Sequence, residues 1–149
     1  MTTADPVSSG LSARLQAVVD ALPLREGMRV LEIGCGTGAA AREVARRVGP
    51  GHVHAIDRSS KAIALSIRGS HAEIDAGRLS FQHVAIEDFE LPAGEARFDL
   101  AFAVRVGALD GRHPAAGERA LRRISDVLTS TGRLLIDTGA PLSDVPLPR

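Results

Sequence analysis

The fold is decided by residues 29–38, which read RVLEIGCGTG. The branched apolar residues at the start predict a short buried strand, and the three glycines predict a tight loop. Residues 39–48 are rich in helix-forming residues and are followed by a Gly-Pro-Gly sequence that stops a helix. The stretch therefore predicts a strand, a glycine loop and a helix in direct succession.

The rest of the chain repeats this alternation. We expect further strands at residues 52–57, 79–86, 98–104 and 133–138, and helices at residues 11–22, 61–76 and 114–128. Alternating strands and helices form a parallel sheet covered on both faces, and right-handed crossovers make it doubly wound. The sequence thus predicts a single α/β domain with a mostly parallel sheet of about five strands. We divide it into an N-terminal helix region (1–24), a core (25–138) and a tail (139–149).

The composition argues against several kinds of partner. The chain carries no net charge, and it has four Phe but no Tyr or Trp. It therefore lacks the basic surface and the stacking platforms of nucleic-acid binders. Cys35 is the only cysteine, which excludes an internal disulfide and a cysteine zinc cluster, and we expect no metal. The N-terminus is polar and no apolar run reaches about 18 residues, so we expect a cytoplasmic protein with no membrane segment.

The glycine loop is suited to bind the acidic group of a cofactor. Gly34, Gly36 and Gly38 can adopt positive φ and let a ligand approach the backbone, with Cys35 as a small residue among them. The loop opens onto a helix N-terminus, whose unpaired N–H groups attract a carboxylate or a phosphate. It could hold the methionyl carboxylate of S-adenosylmethionine or the pyrophosphate of a dinucleotide, or it could be a tight turn without a ligand.

Asp57 ends the second predicted strand, about 20 residues after Gly34. An acidic side chain at this spacing can accept hydrogen bonds from both ribose hydroxyls of either cofactor. We expect its neighbour Arg58 in the same site. The alternative is that Asp57 caps the helix that follows, because it also precedes Ser59.

Two acidic features distinguish the two cofactors. Glu32 lies at the end of the first strand, where a carboxylate attracts an ammonium group and repels a pyrophosphate. Glu87 and Asp88 follow the third predicted strand, close to where an adenine would lie, although a solvated acidic loop explains this pair almost equally well. Together these residues favour S-adenosylmethionine over a nicotinamide dinucleotide.

Residues 29–38 resemble motif I of the class I S-adenosylmethionine-dependent methyltransferases. Ala55-Ile56-Asp57 is similar to the acidic second motif of that family, and residues 87–92 (EDFELP) resemble its adenine-contacting segment, in which Asp is commoner than Glu at position 87. The resemblance covers residues 25–137 and implies a Rossmann-like fold with S-adenosylmethionine as the cofactor. It also implies the ligand contacts: the methionyl end at Glu32, Gly34, Gly36 and Gly38, the ribose at Asp57, and the adenine at Glu87 and Asp88.

The resemblance implies direct methyl transfer to a small molecule, for which positioning of the acceptor supplies much of the acceleration. Candidates for the acceptor side lie in the loop after the fourth predicted strand, which includes Asp110 and Arg112. His113 could be a general base or a solvated residue before Pro114. Arg105 could anchor an acidic substrate or form an ion pair. Two other functions stay open: a cofactor-binding module that is inactive alone, and an NAD(P)-dependent oxidoreductase.

The sequence departs from this family after the fifth predicted strand. The family's sheet has seven strands, and the last two form an antiparallel hairpin beyond the fifth. Residues 139–149 are too few for that hairpin. We therefore expect an open edge on the fifth strand, with unpaired backbone N–H and C=O groups. Either a second copy of the chain, giving a homodimer, or the proline-bearing tail is expected to cover this edge.

Overall fold

The computed structural model describes residues 10–109 and 111–148. Within these ranges the helices are α1 (Ala13–Ala21), α2 (Ala39–Val48), α3 (Ser60–Arg68), α4 (His71–Asp75) and α5 (Pro114–Val127). The strands are β1 (Arg29–Ile33), β2 (His52–Asp57), β3 (Leu79–His83), β4 (Phe98–Ala103), β5 (Leu128–Ile136) and β6 (Ser143–Val145). Two 3-10 turns span Ile86–Asp88 and Gly107–Leu109. The start of the predicted N-terminal region and the loop residue Asp110 lie outside the described residues.

In the described part of the chain, six strands form one sheet in the order β3-β2-β1-β4-β5-β6. Neighbouring strands are parallel from β3 to β5, and β6 runs antiparallel to β5. The chain builds outward from β1 to β3 and then returns to place β4 on the other side of β1. This reversal opens a crevice beyond the carboxyl ends of β1 and β4, where ligands bind in such sheets. The predicted doubly wound α/β fold is confirmed.

The two faces of the sheet carry two apolar layers, because side chains alternate along each strand. Val30 of β1 belongs to the same buried cluster as Val19 of α1. Leu31, the next residue, belongs to the cluster that contains Ile124 of α5. Glu32 shares the face of Val30, so the fold directs its carboxylate toward the side of the sheet covered by α1 and α2.

The single helix predicted at residues 61–76 is wrong, because the chain forms two helices there, α3 and α4. The N–H of Gly69 bonds to the carbonyl oxygens of Leu65 and Ile67, which ends α3. A Cβ on Gly69 would lie 3.0 Å from Nη1 of Arg42, so glycine makes room for this guanidinium. Ser70 then precedes α4, and its hydroxyl bonds to Arg42 rather than to the helix backbone.

Several strand boundaries also differ from the prediction, and the largest differences are at the end of β3 and the start of β5. β3 ends at His83 rather than at residue 86, because Ile86 begins a 3-10 turn. β5 begins at Leu128 rather than at residue 133. The register between β4 and β5 shifts near the start of β5. Phe98 lies opposite Leu128, but Leu100 lies opposite Arg133, so the extra residues of β5 form a bulge.

The sixth strand lies in the segment predicted as a tail and was not expected. Ser143–Val145 pairs antiparallel with residues 134–136 of β5. Nε of Arg133 also donates to Oδ2 of Asp144 at 2.7 Å across this pair. The tail therefore covers this part of the β5 edge, which is one of the two alternatives that the sequence left open.

Helices of the described residues are all too short or too polar to cross a membrane. The same residues include no group of three His, Cys, Asp or Glu side chains arranged to hold a metal ion. His52 and His54 share one face of β2, but their ring nitrogens bond to Ser80 Oγ on β3, at 2.8 and 2.7 Å. These two histidines are therefore part of a hydrogen-bonded network between strands.

Candidate functional site

The glycine loop has a backbone that glycine adopts with least strain. Gly34, Gly36 and Gly38 have positive φ angles of 78°, 57° and 86°. The N–H of Gly34 donates to the carbonyl oxygen of Ile56 at 2.8 Å, which fastens the loop to β2. A Cβ on Gly34 would lie 2.8 Å from Cγ2 of Val106. Glycine at this position thus also lets the loop after β4 close onto the glycine loop.

Two cavities flank the glycine loop at the carboxyl ends of the strands. The first, which we call the α1 cavity, has a volume of about 210 Å³ and lies between α1, the end of β1 and the start of α2. The second, the β2 cavity, has a volume of about 200 Å³ and lies between the end of β2, the first 3-10 turn and the loop after β4. Both are lined by Gly34, Gly36, Val104 and Arg105. The two cavities adjoin at these four residues, and we call the pair the groove.

Glu32 lines the α1 cavity with a buried carboxylate. The residue is 2% exposed, and its Oε1 has no hydrogen-bond partner among the described residues. Burial, and then the negative charge of Asp57, raise the pKa of Glu32 well above its ordinary value, and Arg42 opposes the shift. A buried acceptor without a donor costs free energy. The α1 cavity is therefore suited to a ligand with a cationic donor.

Asp57 holds the glycine loop from the side of the β2 cavity. Its Oδ2 accepts the N–H of Gly36 at 2.9 Å, and its Oδ1 accepts the N–H of Ser59 at 2.9 Å. Each carboxylate oxygen can accept a further hydrogen bond, so a ligand hydroxyl can still bind there. Arg58 and Glu87 line the same cavity, as the sequence predicted. Asp57 does not itself cap α3, because Ser59 is the N-cap, but it bonds to the N–H of Ser59 and lines the β2 cavity. Its contact with a ribose stays a prediction.

Three predicted site residues, Gly38, Asp88 and His113, do not line either cavity. Asp88 is exposed at the end of the first 3-10 turn. His113 is exposed and precedes Pro114 at the start of α5. Its Cδ2 lies 3.4 Å from where a Cβ of Gly107 would be, and Gly107 lines the β2 cavity. His113 therefore lies at the rim of the groove.

Arg105 lines both cavities and has a strained backbone, with a φ of 57°. Its N–H donates to Oδ1 of Asp137 at 3.1 Å. Asp137 also forms an ion pair with Arg14 of α1. One carboxylate at the end of β5 thus fixes two walls of the α1 cavity. Strain of this kind is concentrated at functional sites, which agrees with the position of Arg105.

Cys35 lines the α1 cavity but is not activated for chemistry. Burial raises the pKa of Cys35 to about 12, although a hydrogen bond with Ser66 opposes the shift. The side chain is therefore a thiol at neutral pH, and a thiol is a poor nucleophile. This agrees with the sequence-based interpretation of Cys35 as a small residue in the loop.

Helix α1 contributes residues that the sequence analysis did not identify. Ser12, Arg14 and Leu15 line the α1 cavity opposite the glycine loop. No motif marks these positions, because their role depends on where α1 packs against α2. The ion pair between Arg14 and Asp137 joins residues far apart in the sequence, so it too could not be predicted.

Residues 24–147 match the model of a protein family described as the methyltransferase domain. The chain belongs to this family. This methyltransferase domain is 32% identical over 125 residues to an O-methyltransferase of Aspergillus nomiae, across 80% of this chain and 52% of the relative.

Two solved structures share its fold and part of its sequence. Phosphoethanolamine N-methyltransferase 2 of Haemonchus contortus, in complex with phosphomonomethylethanolamine and S-adenosylhomocysteine, is 27% identical with a TM-score of 0.66, over 83% of this chain and 27% of that one. The [4+2]-cyclase SpnF is 29% identical with a TM-score of 0.66, over 82% of this chain and 42% of that one. The domain thus spans about half or less of the length of these similar proteins.

The residues of the groove fit S-adenosylmethionine, the cofactor of this family. The unpartnered carboxylate oxygen of Glu32 suits an ammonium group, and Asp57 can accept the hydroxyls of a ribose. The two cavities share Gly34, Gly36, Val104 and Arg105 as lining residues, so the places for these two groups adjoin at the glycine loop. S-Adenosylmethionine is therefore the cofactor of this methyltransferase domain.

Proposed function

We propose that this domain transfers the methyl group of S-adenosylmethionine directly to a small molecule. The observation that carries the proposal is the buried, unpartnered oxygen of Glu32 in a groove that also contains Asp57. These two carboxylates suit the ammonium group and the ribose of a single cofactor. A pyrophosphate that passed the loop would instead be repelled by Glu32.

The proposed cofactor contacts follow the two cavities. In the α1 cavity, Glu32 accepts a hydrogen bond from the ammonium group, while Arg14 and the N-terminus of α2 attract the methionyl carboxylate. In the β2 cavity, Asp57 accepts the ribose hydroxyls and Glu87 contacts the adenine. The remaining proposed cofactor residues are Gly34, Cys35, Gly36, Gly38, Arg58 and Asp88.

The chemistry that the cofactor supplies when bound is an electrophilic methyl group on a sulfonium. The residues of this chain then have to bind the acceptor and orient it in line with that methyl group. Arg105 lines both cavities, where its guanidinium can bind an acidic group of the acceptor. His113, at the rim, can accept a proton if the acceptor is a hydroxyl or an amine that must lose one.

A cofactor-binding module without activity of its own is the second candidate. The domain spans only part of the similar proteins, and one of those, SpnF, is a cyclase. Family membership alone therefore leaves the reaction of this chain to be tested. An NAD(P)-dependent oxidoreductase is a weaker candidate, because the negative charge of Glu32 would repel the pyrophosphate of a dinucleotide.

The release of S-adenosylhomocysteine distinguishes these candidates. The chain is incubated with S-adenosylmethionine and a panel of phenols, amines and carboxylic acids, and the product is measured by mass spectrometry. We expect acceptor-dependent release, reduced at least about tenfold in Asp57→Ala and unchanged in the exposed control Asp126→Ala. Binding without acceptor-dependent release would favour the inactive module. Binding of NAD without binding of S-adenosylmethionine would refute both.

The proposed partners are small molecules. The homodimer expected through the β5 edge has less support, because β6 already pairs with residues 134–136. The lack of a nucleic-acid partner and the cytoplasmic location stay predictions, and the former depends on the neutral net charge of the chain.

A further inference from the structure

Two serines are fully buried behind the glycine loop. Ser66 of α3 and Ser70, which precedes α4, are both 0% exposed. Buried hydroxyl groups need hydrogen-bond partners, and both serines find theirs at or next to the loop. Ser66 Oγ donates to the carbonyl oxygen of Gly36 at 2.8 Å and lies 3.6 Å from Sγ of Cys35. Ser70 Oγ accepts a hydrogen bond from Arg42 at 3.0 Å.

Arg42 of α2 extends this contact to the next loop residue. Its Nη1 donates to the carbonyl oxygen of Thr37 at 3.1 Å as well as to Ser70. The fit is close, because a Cβ on Gly38 would lie 3.0 Å from Arg42 Nη1 and 3.1 Å from Ser66 Oγ. We call Ser66, Arg42 and Ser70 the loop clamp.

The loop clamp and Asp57 hold the same residue, Gly36, through the two peptide groups on either side of its Cα. Asp57 accepts the N–H of Gly36, and Ser66 donates to its carbonyl oxygen. Glycine loses more conformational entropy on ordering than any other residue. A glycine-rich loop without supporting bonds would therefore lose that entropy when a ligand binds, which would weaken binding. With these bonds in place, the loop is already ordered in the free protein.

We propose that Ser66 and Arg42 are positioning residues that pre-order the glycine loop for the methionyl end of the cofactor. Neither residue lines the α1 or the β2 cavity, so they act through the loop and not by contact with the ligand. The proposal rests on the proposed cofactor site. It adds that part of the cofactor affinity comes from Arg42 of α2 and Ser66 of α3, outside the glycine motif.

The first test compares Ser66→Ala with Ser60→Ala, an exposed serine at the start of the same helix. S-Adenosylhomocysteine and adenosine are titrated separately by calorimetry. We expect Ser66→Ala to bind S-adenosylhomocysteine about tenfold more weakly, because the loop must now be ordered on binding. Adenosine lacks the methionyl end, so the affinity of the variant for adenosine should fall by less than about threefold. Ser60→Ala should bind both ligands like the wild type.

Thermal melts and amide exchange accompany the titrations. We expect faster exchange at Gly36 and Thr37 in free Ser66→Ala, with the rest of β1 and β2 unchanged. If that variant does not fold, Arg42→Lys and Ser70→Ala are titrated instead. In each of them, the affinity for S-adenosylhomocysteine should again fall more than the affinity for adenosine. Unchanged affinity for S-adenosylhomocysteine, or an equal loss for both ligands, would overturn the proposal. Failure of the wild type to bind S-adenosylhomocysteine would instead refute the proposed function.

Discussion

Replacement of Glu32 by glutamine should change stability and cofactor affinity in opposite directions. Burial and Asp57 raise the pKa of Glu32 in the folded protein, so this group stabilises the fold fully only below its unfolded pKa of about 4.5. That contribution is lost as the pH rises through the raised folded value. Glutamine keeps the shape and removes the ionisable group. At neutral pH, the free Glu32→Gln protein should therefore be at least as resistant to unfolding as the wild type.

The same substitution should weaken binding of S-adenosylhomocysteine. It removes a charge-assisted hydrogen bond to the ammonium group, which is worth about 1.5–3 kcal/mol, or about 10- to 150-fold in affinity. Wild-type affinity should also increase as the pH rises through the raised pKa of Glu32 in the folded protein, since binding favours the ionised carboxylate, and this pH dependence should disappear in the variant. Calorimetry and chemical denaturation measure the two quantities, with the exposed Glu118→Gln as the control. An unfolded variant, or one that binds as tightly as the wild type, would contradict this account of Glu32.

Three further predictions concern the glycine loop and the sheet beside it. Gly34→Ala should lower the free energy of unfolding by about 1–2 kcal/mol for its φ of 78° alone, with a further loss from contact with Val106. Adding Val106→Ala should restore only the part of the stability that was lost through the contact, and thermal melts measure this. Full recovery of stability would refute the role assigned to φ. Asp57→Asn should weaken S-adenosylhomocysteine binding at least about tenfold, because an amide cannot accept hydrogen bonds on both of its terminal atoms; unchanged calorimetric affinity would exclude Asp57 from the site. Burial lowers the pKa of His54 below 6.5, so the wild type should lose stability as the pH falls below about 6.5, and denaturation curves of His54→Gln should show a flatter loss. Equal slopes for the two proteins would exclude His54 as the source.

The part of the site that could be predicted is formed mainly by one continuous segment of the sequence. β1, the glycine loop and α2 follow from residues 29–48, where strand, turn and helix preferences all agree. Asp57 was predictable because β2 runs beside β1, which brings its last residue next to the loop. Glu32, Arg58 and Glu87 also line the two cavities, and their contacts with a cofactor stay predictions.

The features that were missed depend on contacts between distant segments. The break between α3 and α4 occurs where Gly69 meets Arg42, a residue of another helix. β6 forms because Ser143–Val145 meets the edge of β5, and a three-residue segment has no recognisable strand pattern of its own. Ser66 has no sequence motif and is identified only by its bond to Gly36.

The most direct test of the central claim is a titration of the isotope-labelled chain with S-adenosylhomocysteine, followed by amide NMR. We predict saturable shifts at Gly34, Gly36 and Gly38 and at Asp57, with no shifts at these positions when NAD is added instead. Shifts of the loop amides by NAD, together with no response to S-adenosylhomocysteine, would contradict the account.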